Sequence, residues 1–215
     1  MDTPTFSPTI SPPLPAEAGA PSWPIALLFP LQGQWSESEY LALQNRSTML
    51  VELSDGQIEV LSMPNPFHQR IVSYLYLLLK ACAAAMRAGE VFFAPLPIRM
   101  WPGKYRDPDL AFLKPGRIAD PHHQPQGADL VVEVVSDDEE GRRRDLQTKR
   151  QEYAQAGIAE YWIVDPKTET VSVLTLDGAV YRLHGEFPLG TTATSVLLPT
   201  FTVDVTAMFA AGRGQ

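Results

Sequence analysis

The sequence predicts a single α/β domain of the mixed α+β kind, with a mixed central sheet flanked by helices. Three observations predict it. The chain has 215 residues, enough for one sizeable core. A long apolar stripe of helical period runs from about Pro66 to Ala88, and after it short β-branched runs alternate with a second, charged helical segment.

Residues 1–35 hold eight of the twenty prolines and no Lys or Arg. Such a segment has no periodic apolar face to bury, so the expectation is a Pro-rich tail, disordered or loosely docked through Trp23 to Phe29. The folded domain is expected over residues 36–210, with 211–215 as a short C-terminal tail. Ser36 to Glu39 followed by Tyr40, Leu41 and Leu43 reads as a capped helix. Met49 to Leu53 and Gln57 to Leu61 flank an Asp55-Gly56 pair, a strong hairpin signal. Ile71, Leu75, Leu78, Leu79 and Cys82 form the stripe of the long helix, which Gly89 stops. Strands are expected at Val91 to Phe93, Leu96 to Met100, Asp109 to Leu113 and Leu130 to Val135. A helix over Gly141 to Ala156 follows, then strands at Tyr161 to Val164, Val171 to Leu176 and Val180 to Leu183. Val203 to Ala210 reads as a closing helix.

The formal charge of −8 argues against a surface that coats nucleic acid non-specifically, because such binding replaces counterions with Lys and Arg. It leaves room for a local basic groove or for clustered carboxylates around a metal. No apolar run approaches the roughly 20 residues of a membrane span, and the first residues lack the positive charge that opens a signal peptide. A lone cysteine, Cys82, in an alanine-rich apolar stretch reads as a buried free thiol. The expectation is a cytoplasmic protein.

Glu133 lies inside Leu130-Val131-Val132-Glu133-Val134-Val135, a run with the character of a strand buried on both faces. A carboxylate there needs a partner: a metal, hydrogen bonds, or a buried arginine. Asp109 stands at the mouth of another apolar strand, in Asp107-Pro108-Asp109-Leu110, although Asp-Pro-Asp is also ordinary turn chemistry. Two carboxylates from adjacent strands suit a hard divalent cation such as Mg2+, which takes oxygen ligands and keeps waters for a nucleophile and a substrate phosphate. Asp145, Lys149 and Tyr153 follow at i, i+4 and i+8, one helix face that either points back to the strand end or is a salt-bridged surface. Arg142, Arg143 and Arg144 are candidate phosphate binders, or are neutralised by the preceding run Asp137 to Glu140. Glu52, in the first hairpin strand, is either a further ligand or solvent-facing. His68, near the start of the long helix, is a candidate cap or supporting hydrogen-bonder.

The segments Leu50 to Gly56, Pro66 to Gln69, Asp107 to Leu110, Asp129 to Val134, Arg144 to Lys149 and Tyr153 to Pro166 occur in the order seen in the Uma-type restriction endonucleases. The chain resembles that family, of the PD-(D/E)XK nuclease superfamily, over about residues 36 to 210. The resemblance implies a restriction-endonuclease-like fold, a Mg2+ site for which Mn2+ can substitute, and hydrolysis of DNA phosphodiesters. Asp109 matches the first motif carboxylate and Glu133 the second. The chain departs from the motif two residues later, where Val135 stands in place of lysine. Lys149 then looks like the migrated lysine, holding the attacking water or stabilising the pentavalent transition state. Cleavage of both strands with one site per chain implies a homodimer. The other function class open to the same fold is a non-catalytic nucleic-acid or protein interaction module.

Overall fold

The computed structural model describes residues 29, 31–46 and 48–215. The expected tail therefore lies almost wholly outside the described residues. Of its last part, Phe29 and Trp35 pack on the small apolar cluster around Tyr40 and Leu53. The Gln32 amide exchanges hydrogen bonds with the backbone of Ile58.

The chain enters through α1 (Glu37–Gln44), whose N-cap Ser36 and N3 residue Glu39 bond each other's backbone N–H groups in a capping box. The hairpin of β1 (Val51–Ser54) and β2 (Gln57–Val60) turns at Asp55 and Gly56, both at positive φ, as a two-residue turn matched to strand twist requires. These strands form a separate four-stranded antiparallel sheet, ordered β2-β1-β5-β4, with β4 (Ile98–Trp101) and β5 (Lys104–Arg106). The sequence reading missed both β5 and the existence of a second sheet. Lys104-Tyr105-Arg106 has no apolar alternation, because its two charged side chains are buried in ion pairs rather than turned to solvent.

The long helix is α2 (Pro66–Met86), started by the Asn65 cap with Pro66 at its first position. The six-stranded sheet is ordered β10-β9-β8-β7-β6-β3, comprising β3 (Glu90–Phe93), β6 (Leu110–Leu113), β7 (Leu130–Val134), β8 (Glu160–Asp165), β9 (Thr170–Asp177) and β10 (Val180–Pro188). Only β7 and β8 pair in parallel, and between them runs the helical crossover that a parallel pair needs. That crossover consists of α3 (Glu139–Arg143), a π-helical turn (Arg144–Thr148) and α4 (Lys149–Gln155). A two-stranded ribbon of β11 (Thr192–Thr194) and β12 (Thr202–Asp204) leads into α5 (Val205–Arg213). The closing helix thus includes Ala211 to Arg213, which the sequence reading assigned to a tail.

Alternation along β7 divides the core. Leu130, Val132 and Val134 face α2 and α5 in the larger apolar cluster, with Ile71, Leu75 and Phe209. Val131 and Val135 face α4 in the second cluster, with Tyr153 and Ile158. By the period of two, Glu133 belongs to the α4 side. Cys82, expected as a buried thiol, is only partly buried, with Sγ 3.2 Å from Thr200 Oγ1. No helix of the described residues is long and apolar enough to cross a membrane.

Buried charges tie the parts together. Arg106, fully buried on β5, donates to Glu52 on β1 at 2.6 Å and to Glu59 on β2 at 2.5 Å. It also forks onto Glu152 of α4 at 2.7 and 2.9 Å. Lys104 adds a 2.7 Å bond to the same Glu152. The small sheet is thereby pinned to the crossover helix. At the far side of the large sheet, buried Glu160 accepts from Trp162 Nε1, Ser195 Oγ and the N–H groups of Val196 and Leu197, all within 2.8 Å.

Glu160→Ala orphans buried donors at about 1–3 kcal/mol each, so urea unfolding should show a loss of about 3 kcal/mol or more. A loss under 1 kcal/mol would show that those donors find water instead. For Glu152, burial pushes the pKa up, but Arg106 and Lys104 outweigh it, and the folded value lies below the ordinary 4.5. The pairing therefore contributes fully above the unfolded value and fades as pH falls through the folded one. Between about pH 5 and pH 3 the wild type should lose more stability than Glu152→Gln. Parallel losses would refute the assignment.

Candidate active site

The residues singled out in the sequence converge at one end of β6 and β7. Asp109 enters β6, and its Oδ2 accepts the Val134 N–H at 2.7 Å, so the carboxylate is clamped to the neighbouring strand rather than capping its own turn. His68, in the first turn of α2, contacts the same oxygen through Nε2 at 3.2 Å. Glu133 projects from β7 toward α4. There Lys149 Nζ donates to its Oε1 at 2.7 Å, and Tyr153 Oη donates to the same oxygen at 2.5 Å. The partner of Glu133 is thus a lysine and a tyrosine, not the arginine considered as an alternative. Asp145 lies 3.3 Å from Lys149 Nζ through Oδ1, and its Oδ2 accepts the Ser136 N–H at 3.2 Å.

Lys149 reaches the site because the crossover helix packs its inner face on β7. Val135, on the same strand face as Glu133, is 2% exposed and packs with Tyr153 and Ile158, so the strand position is filled by core and the helix supplies the amine. The spacing that suggested one helix face is modified by the π-helical turn, closed by Lys149 N–H to the Arg144 carbonyl. In a plain α-helix residues five apart point about 140° from each other. The wider turn brings Arg144 and Lys149 toward one side.

Electrostatics follow from this crowding. Burial pushes Glu133 up, Lys149 pulls it back only in part, and Asp109 and Asp145 push it up further. Burial would lower Lys149, but Glu133, Glu52 and Asp145 together hold its proton well above the usual lysine range. Burial would raise Glu52, yet Lys149 and Arg106 hold it down at about 2. His68 is lowered by burial and raised more by its bond to Asp109, for a net rise.

Asp109, Glu133, Lys149, His68 and Asp145 all border one cleft of about 420 Å³. Glu52 and Tyr153 do not border it. Glu52 is fully buried, 3.9 Å behind Lys149, and accepts from Arg106 and the Asp107 N–H. Its position is that of a support for the lysine and the Asp107 loop, not of a ligand reaching into the cleft. Asp107 escaped the sequence reading of the site, and Arg144 entered it only as one of three candidate phosphate binders. Asp107, read as turn chemistry, accepts the Leu96 N–H at 2.6 Å and is pushed up to about 7, chiefly by burial. Arg144, named only within the run Arg142 to Arg144, lines the cleft wall, whereas Arg142 is held by Asp165 at 2.7 and 2.8 Å. Asp165 is the hydrogen-bonding partner of Arg142, and Asp137 of the acidic run adds a weaker electrostatic contribution.

The donor set fits a hard cation. Asp109 and Glu133 each use one oxygen within the protein, while Asp109 Oδ1 and Glu133 Oε2 accept no hydrogen bond from the described residues. Oxygen ligands of this type suit Mg2+ or Mn2+, with water and substrate completing the shell. Among the described residues no group of three or more His, Cys, Asp or Glu side chains is placed to hold an ion by itself.

Comparison with known proteins agrees with the fold. A solved structure described as "a putative nuclease belonging to DUF820" from Anabaena variabilis ATCC 29413 superposes with a TM-score of 0.65 at 16% identity. The match covers 82% of this chain and 98% of that one. No curated protein matches the chain. The model of the family described as "Uma2: Putative restriction endonuclease" matches residues 37–206, and the chain belongs to that family.

Proposed function

We propose that the protein is a metal-dependent DNA endonuclease with a PD-(D/E)XK-like site, in which Asp109 and Glu133 hold the cation and Lys149 is the electrostatic group. The observation that carries this reading is the meeting of two carboxylates, each with one uncommitted oxygen, and a buried ammonium 2.7 Å from one of them in a single cleft. Family membership and the nuclease-like fold support a hydrolase acting on nucleic acid. When bound, Mg2+ would polarise the scissile phosphate and lower the pKa of an attacking water.

The protein's own groups divide the remaining work. His68 and the Val134 N–H fix one oxygen of Asp109, leaving the other directed by that constraint. Tyr153 does the same for Glu133. Lys149 keeps its charge, so its amine can hold the attacking water and stabilise the charge that builds on a pentavalent phosphorus. Glu52 and Asp145 keep that amine in place from behind and from the side. A cytoplasmic homodimer goes with this reading, since one site per chain needs a two-fold mate to cut both strands.

The test is cleavage of duplex and single-stranded DNA with Mg2+ and with Mn2+. Asp109→Ala and Glu133→Gln should each lower the rate by about 10²-fold or more, and Lys149→Met by a similar factor, with circular dichroism showing that each variant is folded. Cleavage that survives both carboxylate substitutions refutes the site. Absence of cleavage by the wild type under every condition favours the non-catalytic interaction module. Mg2+ at about 100 times its Kd should stabilise the wild type by about 2.7 kcal/mol and leave Asp109→Ala unchanged.

A further inference from the structure

We propose that Arg144 is a phosphate-binding residue of the cleft, its guanidinium donating to the non-bridging oxygens of a phosphate group. Arg144 is 9% exposed, yet its side chain donates no hydrogen bond among the described residues, and its Nε is sealed from solvent without an acceptor. Its nearest carboxylate oxygen, Asp145 Oδ1, lies 3.7 Å from Nε, too far for a hydrogen bond.

Four other arginines of the described residues are paired. Arg106, the more deeply buried, forks onto three carboxylates, and Arg142, Arg117 and Arg99 each pair with one. A guanidinium carries five donors in a rigid fork, and burying them unpaired is costly unless a ligand supplies acceptors. Arg144 borders the same cleft as Asp109, Glu133 and Lys149, so the missing acceptors belong in that space. The planar fork matches two oxygens of a phosphate.

Two neighbouring features agree. Burial works against the charge of Arg144, but Asp145, Glu52 and Glu59 outweigh it, so the group stays cationic. The N-terminus of α2 borders the cleft through Asn65, Phe67 and His68, and its first turn carries no acidic residue, which leaves the positive end of the helix dipole facing the same space. The π-helical turn supplies the geometry, since it sets Arg144 and Lys149 toward one side of the crossover helix.

The inference deepens the nuclease reading and rests on it for the source of the phosphate, whereas the anion subsite is testable alone. Wild type, Arg144→Lys and Arg144→Gln would be titrated without metal, first with inorganic phosphate and then with a short DNA duplex over a range of salt. The Arg144 Nε–H resonance and duplex affinity are the readouts. Arg144→Lys keeps the charge and should keep the melting temperature. It should weaken duplex binding about tenfold, and Arg144→Gln should remove about one unit from the salt slope. In the wild type, phosphate should move the Arg144 resonance. Phosphate that moves the wild-type Arg144 resonance, without any duplex binding or cleavage, upholds the subsite while the nuclease reading fails. Cleavage by the wild type, with its Arg144 resonance unmoved by phosphate and with duplex affinity and salt slope unchanged in both variants, overturns the subsite and leaves the nuclease reading standing.

Discussion

The Lys149 ammonium lies 2.7 Å from Glu133, 3.3 Å from Asp145 and 3.9 Å from Glu52, with its side chain 4% exposed. Three carboxylates removed from water at such separations repel one another strongly, and a cation among them is what makes their joint burial tolerable. Those carboxylates come from β1, β7 and the crossover helix. One ammonium therefore joins the small sheet, the large sheet and the helix that carries it. The walls of the cleft are fixed by the same contact.

Behind Lys149 a second buried cation does related work for the scaffold. Arg106 meets Glu52, Glu59 and Glu152, and Glu52 is shared between Arg106 and Lys149. The two centres form one network, in which a change at β5 is felt at the cleft through a single carboxylate. Neighbours coupled in this way are expected to give non-additive effects on mutation. The network is also selective in what it leaves undone: Asp109 Oδ1, Glu133 Oε2 and the Arg144 guanidinium receive no hydrogen-bond partner from the described residues and all belong to residues that border the cleft. Unmet polar capacity concentrated in one place is how a binding site departs from a packed core.

Much of this was legible along the chain. The Asp55-Gly56 hairpin, the α2 stripe and the β-branched β7 each declare themselves by local chemistry or period. Glu133 was conspicuous because an acid inside such a strand needs an explanation. Asp109 became a candidate beside it, and the i, i+4, i+8 spacing placed Lys149 and Tyr153 together. β5 was not legible, because a three-residue strand with two charged members carries no period. Arg144 was named only with Arg142 and Arg143, because the adjacent acidic run offers all three the same neutralising partner in sequence, and only the fold sets Arg142 on Asp165 and Arg144 in the cleft. Glu52 was ambiguous in sequence, since a charged residue in a hairpin strand is ordinarily solvent-facing. Its burial follows from Arg106, 54 positions away.

The sequence by itself determined the mixed α+β class, the order of the main elements and the anomaly of an acid in β7, because backbone propensity and apolar period are local properties. Tertiary structure decided the division into two sheets and the partner of each buried charge. It also decided which side chains border the cleft: Glu52 was excluded, while Asp107 and Arg144 were admitted. Charges pair by distance in space, and a sequence records that distance only where the paired residues share one element. Asp145 and Lys149, four residues apart, were within its reach; Arg106 and its three carboxylates were not.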